Sequence, residues 1–306
     1  MADNNIKLTL LGGDLRQLAI ARGLASQGVE TAVWGLGLGA EEIGDAVRCA
    51  SWTDAVKESR AIILPLPASS DGNHVNCPMA SSSDSFVPLK LTKLLDSIPN
   101  NVPIIGGRFS PAFKSFADSK KFKIIDYFES EELQIKNAVP TAEGALAIAM
   151  NELPITIRGA RVAVIGYGRV GKILAEILNS LGAHVTVAAR KNMDLAWAYN
   201  YRCDTLKIEI RDGKSSLIKL GSGYDAIFNT VPYWLFDGNV LPHICKNTLI
   251  IDLASAPGGV DTRAASDCGV KVIWALSLPG KCSPFTAGEI ICDSILNILS
   301  KEGILQ

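Results

Sequence analysis

The stretch Arg161-Val-Ala-Val-Ile-Gly-Tyr-Gly-Arg-Val-Gly171 decides the fold. Arg161 to Ile165 reads as a buried strand, and the glycine-rich turn after it opens a helix over Arg169 to Leu181. Gly166 suits the tight turn, Gly168 the approach of a pyrophosphate, and Gly171 the packing of helix on strand. With Tyr167, Arg169 and Val170 between them, these residues present backbone N–H groups to the phosphates of a dinucleotide.

Downstream, Ala183 to Ala189 is the next strand, and it ends in Arg190-Lys191. A site for NAD usually carries Asp or Glu near this point for the ribose hydroxyls. Two cations suit a 2'-phosphate better, so NADP is the expected cofactor, with NAD as the alternative. Tyr224 to Asn229, Thr248 to Asp252 and Lys271 to Ala275 continue the strand series. Asn229 and Thr230 leave a central strand on the expected nicotinamide side and are candidate cofactor contacts.

Upstream, the first half repeats the pattern. Strands are expected at Ile6–Leu11, Val29–Trp34, Arg60–Pro67, Val102–Gly106 and Phe122–Asp126, with a helix over Leu15–Gln27 and another around Phe113. Ala68 to Val87 is a long polar loop at a strand end, either a ligand-binding loop or a surface excursion. The fold class is therefore α/β, with two Rossmann-like domains built on parallel sheets. The boundaries read as 1–139 for a substrate-side domain, 140–158 for a helix and linker, 159–280 for the nucleotide domain and 281–306 for a C-terminal helix. Pro140 and Thr141 suit the start of the junction helix, and Pro154 limits it.

Composition narrows the partners. Lys plus Arg number 30 against 31 Asp plus Glu, so the net charge is -1 and no broad field favours nucleic acid. No apolar run reaches the roughly 20 residues of a membrane span. The start, Met1-Ala-Asp-Asn-Asn-Ile-Lys, lacks the pattern of a signal peptide. Seven dispersed cysteines without C-x-x-C spacing read as reduced thiols rather than a zinc site or disulfide framework. These features imply a cytoplasmic protein with a small-molecule ligand and no metal.

Cations at strand and helix ends point to an anionic substrate. Gly12-Gly13-Asp14-Leu15-Arg16 offers backbone donors and a guanidinium, with Asp14 capping the helix or orienting Arg16. Gly106-Gly107-Arg108 repeats the arrangement. Leu278-Pro-Gly-Lys281-Cys-Ser283-Pro-Phe-Thr286 reads as a loop before a final helix over Thr286–Leu299, with Lys281, Ser283 and Thr286 as anion ligands. Together they suit a small dicarboxylate lying between the domains. The histidines are His74, His184 and His243, and no His–carboxylate pair is visible in the sequence. That favours a ring desaturation over an alcohol oxidation, and the catalytic residue stays unassigned.

Taken together, Gly12–Arg16, Pro140-Thr-Ala-Glu-Gly144, Gly166–Gly171, Ile251-Asp-Leu-Ala-Ser255 with Pro257-Gly-Gly259, and the Leu278–Gly288 segment resemble the dipicolinate synthase A-subunit family over nearly the whole chain. The resemblance implies NADP-dependent oxidation of dihydrodipicolinate to pyridine-2,6-dicarboxylate and a flavoprotein-like B-subunit as partner. It also implies an oligomeric assembly in the mother cell of a sporulating bacterium, and a last helix packed back on the first domain. Two other readings stay open: a D-2-hydroxyacid-dehydrogenase-like enzyme on another dicarboxylate, and a non-catalytic NADP-binding scaffold.

Overall fold

The computed structural model describes residues 7–37, 40–80, 86–211, 214–221 and 223–305. Residues 1–6 and residues 81–85 of the polar loop, both read from sequence above, lie outside that range. The chain divides into two compact units, Met1–Asn137 with Ser283–Gln306, and Ala138–Cys282.

In the first unit, β1 (Lys7–Leu11), β2 (Glu30–Trp34), β3 (Val47–Arg48), β4 (Ala61–Ile63), β5 (Ile104–Gly106) and β6 (Ile124–Asp126) form one parallel sheet. Its order is β3-β2-β1-β4-β5-β6. Helices α1 (Leu15–Ser26), α2 (Trp52–Ala55), α3 (Leu91–Ser97), α4 (Pro111–Ser119) and α5 (Glu131–Lys136) connect the strands or follow them. Leu8 and Leu10 pack into one apolar cluster and Leu11 into another, as strands covered on both faces require.

The second unit opens with α6 (Ala138–Glu152) and then lays down β7 (Arg161–Ile165), α7 (Arg169–Ser180), β8 (His184–Ala189), α8 (Asn192–Asn200) and β9 (Asp204–Lys207). A small hairpin of β10 (Ile210–Arg211) and β11 (Lys214–Ser215) precedes β12 (Ala226–Asn229), β13 (Leu249–Asp252), α9 (Thr262–Cys268), β14 (Lys271–Trp274) and α10 (Leu278–Cys282). The main sheet is parallel, in the order β14-β13-β12-β7-β8-β9. Counted within its own unit, each sheet runs 3-2-1-4-5-6, the order of the dinucleotide-binding fold.

The final helix, α11 (Pro284–Lys301), belongs to the first unit and packs on α1. Glycines set the spacing: a Cβ on Gly288 would lie 2.5 Å from the Arg16 carbonyl, and one on Gly23 would lie 2.7 Å from Cys292 Sγ. Since both contacts advance toward the C-terminus on each helix, α1 and α11 run parallel. Ile20, Leu24, Ile291, Ile295 and Leu299 are buried in the same cluster, each contributing about 1.5–3 kcal/mol by leaving water.

Several local expectations change. Leu278-Pro-Gly-Lys281 is helical rather than a loop, because Leu278 and Pro279 are buried and Gly144 lets α6 approach Leu278 Cβ and Cys282 Sγ to contact distance. Helix α11 starts at Pro284, which puts Thr286 inside its first turn. Helix α6 begins at Ala138, with Pro140 in the opening turn where its missing N–H costs nothing. The ladder of β4 stops at Ile63, so Leu64 to Pro67 is a connection.

Candidate functional site

The turn after β7 is built as an anion cradle. Gly166 has φ +92 and donates its N–H to the Ala188 carbonyl at 2.8 Å, which bends the chain out of the sheet. A Cβ on Gly171 would sit 2.2 Å from the Gly166 carbonyl, so only glycine allows α7 to start this close to the strand. Gly168 differs: a Cβ there would meet nothing within 4 Å. Helix α7 begins at Gly168 without a side-chain cap, so its positive end faces that open space. Leu174, Ala175 and Leu178 bury the opposite face and hold the helix in place.

That space continues into a cavity of about 810 Å³, within the usual range for cofactor sites. Its lining comes from Gly166–Gly168, the end of β8 at Ala189 with Arg190 and Lys191, Asp194, the segment Ile208–Ile210, and Thr230–Tyr233 and Leu235 of the loop after β12. Arg190 and Lys191 are exposed at its edge. Arg169 and Val170 open α7; Arg169 is exposed and Val170 half-buried. Thr230 Oγ1 donates to the Ile165 carbonyl at 2.8 Å, fixing the loop against the fingerprint strand. Tyr167 is buried, and loss of water pushes its phenol up to about 12, so it stays protonated.

Asn229 does not take the expected place. Its amide is 0 % exposed and donates to Asp252 Oδ1 at 2.8 Å and to the Val231 carbonyl at 3.0 Å, while its oxygen accepts the Val231 N–H. Both donor hydrogens are used inside the protein, so Asn229 shapes the wall instead of touching a ligand. The cavity also holds two carboxylates that the local reading of Arg190-Lys191 did not bring together. Asp194 lies in the first turn of α8, and Glu209 is paired with Arg211 at 2.7 Å. Glu209 was hidden because its segment and the hairpin beside it are too short and polar to show periodicity.

The turn after β1 has the same placement and a different interior. The Gly12 N–H donates to the Trp34 carbonyl at 2.7 Å and the Gly13 N–H to the Asn76 carbonyl at 2.8 Å, so neither amide is available to an anion. Asp14 both caps α1, accepting the Arg16 N–H at 3.0 Å, and receives the Arg16 guanidinium at 2.8 Å. A further Arg16 hydrogen bond goes to the Leu66 carbonyl. Arg16 is thus 12 % exposed and neutralised by its neighbour, which makes it a brace for the turn more than a source of net charge. Leu66 Cδ1 in turn lies against Gly107, which links this turn to the end of β5.

Arg108 is exposed, with φ +55, and its guanidinium lies 5.6 Å from the Phe128 ring centroid. The N–H groups of Arg108 and Phe109 both go to the Asp126 carboxylate, which holds the turn. Ser283 is half-buried and makes no side-chain cap to α11, while Thr286 is exposed two residues before Gly288, which contacts Arg16. Lys281 is exposed at the end of α10, in the other unit.

One absence read from sequence is overturned. His74 Nδ1 lies 2.7 Å from Asp71 Oδ2 in the loop after β4, a His–carboxylate pair set three residues apart. Asp71 also accepts the N–H groups of Asn73 and His74, each at 2.8 Å, and these bonds hold its carboxyl well below the usual range. The described part of that loop is anchored: Val75 bonds Leu89, Asn76 bonds Ala68, and Cys77 is buried. Among the described residues no group of three or more His, Cys, Asp or Glu could hold a metal, and no helix is long and apolar enough to cross a membrane.

Comparison with known proteins places this geometry. Residues 7–128 match the model of the N-terminal domain of the dipicolinate synthase A-subunit. Over 301 residues, 97% of this chain and 95% of the relative, it is 33% identical to the dipicolinate synthase A-subunit of Bacillus subtilis (strain 168). The chain belongs to the dipicolinate synthase A-subunit family. The crystal structure of the corresponding A-subunit from Bacillus halodurans superposes with a TM-score of 0.86 at 29% identity, covering 97% of this chain and 98% of that one. The same fold is shared more widely, since a transhydrogenase from Sinorhizobium meliloti matches with a TM-score of 0.72 at 12% identity over 96% of this chain and 94% of its own. The family model falls on the first unit, whereas the glycine fingerprint of the second is a feature of many nucleotide-binding proteins.

Proposed function

We propose that this chain is the dinucleotide-binding dehydrogenase component of a dipicolinate synthase, oxidising dihydrodipicolinate to pyridine-2,6-dicarboxylate with NADP. The observation that carries the reading is the open face of Gly168 at the uncapped start of α7, leading into the cavity of about 810 Å³. Tyr167, Gly168, Arg169, Val170 and Gly171 would hold the pyrophosphate, with Gly166 making the turn that presents them, and Thr230 would border the nicotinamide half. Arg190 and Lys191 would hold the 2'-phosphate, in a setting where Glu209 is already paired with Arg211. When bound, the nicotinamide supplies a hydride acceptor.

On the substrate side, Arg108, Lys281, Ser283 and Thr286 are the proposed ligands of the two carboxylates, and Arg16 holds the turn after β1 in shape. A flavoprotein-like partner chain completes the enzyme, in the cytoplasm of the mother cell. The test mixes the chain, with and without that partner, with freshly made dihydrodipicolinate and NADP. NADPH and the ultraviolet absorption of the product should rise together at equal rates. No NADPH under either condition overturns the reading.

The Asp71–His74 pair favours one second reading, a D-2-hydroxyacid-dehydrogenase-like activity with His74 as the base. It predicts NADPH formation from a 2-hydroxy dicarboxylate, abolished in His74→Gln, and no turnover of dihydrodipicolinate.

A further inference from the structure

Asp252 ends β13 with a carboxylate that is 2 % exposed. Burying a charge is costly unless hydrogen bonds replace its water. Here three donors do so. Oδ1 accepts Asn229 Nδ2 at 2.8 Å and the Ala254 N–H at 3.1 Å, and Oδ2 accepts the Gly259 N–H at 2.8 Å. These donors come from the last residue of β12 and from the connection after β13.

Gly259 is the node between them. Its carbonyl accepts the N–H groups of Leu235 and Phe236, both at 3.1 Å, and a Cβ on it would strike Asn229 Nδ2 at 2.1 Å. Leu235 lines the cavity, as do Thr230 and Val231 on the same connection. One buried carboxylate thus fastens Asn229, the turn Ala254–Gly259 and the cavity wall to one another. Trp274 Nε1 donates to the Ala254 carbonyl at 2.8 Å, so an indole reports on the same turn.

A dinucleotide with its pyrophosphate at Gly168 and its 2'-phosphate end over β8 must run its other half toward β12 and β13, on the far side of β7. We propose that Asp252 is a positioning residue, which sets the wall against which the nicotinamide half lies without itself touching the cofactor. The proposal rests on the dinucleotide reading above. An asparagine at 252 would turn an NH₂ toward one of the three donors, so the wall would shift while the shape of the core stayed close to the original.

The test compares Asp252→Asn with the unaltered protein, using NADPH and 2',5'-ADP, which has the adenosine half alone. The expected result is NADPH affinity weakened about tenfold with 2',5'-ADP within twofold, a changed Trp274 emission judged against Trp274→Phe, and kcat lowered about 10–100-fold. Equal weakening of both ligands, or of neither, overturns the proposal. Should Asp252→Asn fail to fold, Asn229→Ser removes one donor and leaves the carboxylate in place. It should show the same selective loss at smaller size, and a loss shared by both ligands again overturns the idea. The binding readouts need no turnover, so absence of dihydrodipicolinate oxidation would sink the proposed reaction while leaving this inference separately decidable.

Discussion

The turns after β1 and β7 each leave the first strand of a sheet with the same strand order and enter a helix, yet they differ in what lies over the start of that helix. A Cβ on Gly12 would lie 2.5 Å from Cys77 Sγ and one on its counterpart Gly166 would lie 2.4 Å from Thr230 Oγ1, so the turns part only at the helix start, where Asp14 caps α1 and Gly168 leaves α7 without a side-chain cap and with nothing within 4 Å of a Cβ. In the first unit the space is filled by the protein's own loop, which takes the N–H of Gly13. In the second it is left for a ligand. A glycine-rich strand-to-helix turn therefore has two uses, and which one applies is decided by the chain that packs over it.

The largest effect expected from this contrast is at Gly168. Replacing it by valine should weaken NADPH binding about a thousandfold, read by fluorescence titration, with thermal stability almost unchanged. A variant that binds NADPH normally would place the pyrophosphate elsewhere. The mirror experiment is Gly12→Ala, which forces a side chain into φ +68 against Cys77. It should cost about 2–3 kcal/mol in denaturant unfolding and leave NADPH affinity within twofold. If stability held and binding fell, the two turns would have exchanged roles.

Arg190→Ala should lower the preference for NADP over NAD about tenfold, measured as the ratio of dissociation constants. An unchanged ratio would take the 2'-phosphate away from β8. The smallest effect concerns the seal over the first turn. Burial pushes the Cys77 thiol up to about 12, so at pH 8 it is uncharged as well as shielded. Mass spectrometry after brief alkylation should find the exposed Cys245 and Cys282 labelled and Cys77 intact. Prompt labelling of Cys77 would show that the loop opens, and that the first turn is less closed than the second is open.

The fold was legible because its signals are local. Continuous apolar strands such as Arg161–Ile165, and glycines at fixed spacing, state both the element and its neighbour. The edge strands β3 and β9 were not, since their exposed residues follow no alternation and edges are kept short and polar. In the candidate site, the glycines and Arg190-Lys191 were visible because they are contiguous. The pairing of Arg16 with Asp14 is local, but its hydrogen bond to the Leu66 carbonyl was not legible, because that partner lies fifty residues away. Asn229 shows the same limit, as nothing near it in the chain announces that Asp252 will claim its amide. The Asp71–His74 pair was close enough in sequence to be seen, and was missed because three residues in a loop carry no periodicity.

The parallel seating of α11 on α1 has a consequence for synthesis. The first unit is assembled from two separate segments, with the whole of Ala138–Cys282 synthesised between them. The second unit has all its strands available before α11 exists, while Ile20 and Leu24 wait for Ile291 and Ile295 to cover them. A stalled or nicked product lacking the segment from Ser283 onward would accordingly keep the nucleotide fold and expose a greasy seam on the other unit, the kind of half-finished surface that chaperones recognise.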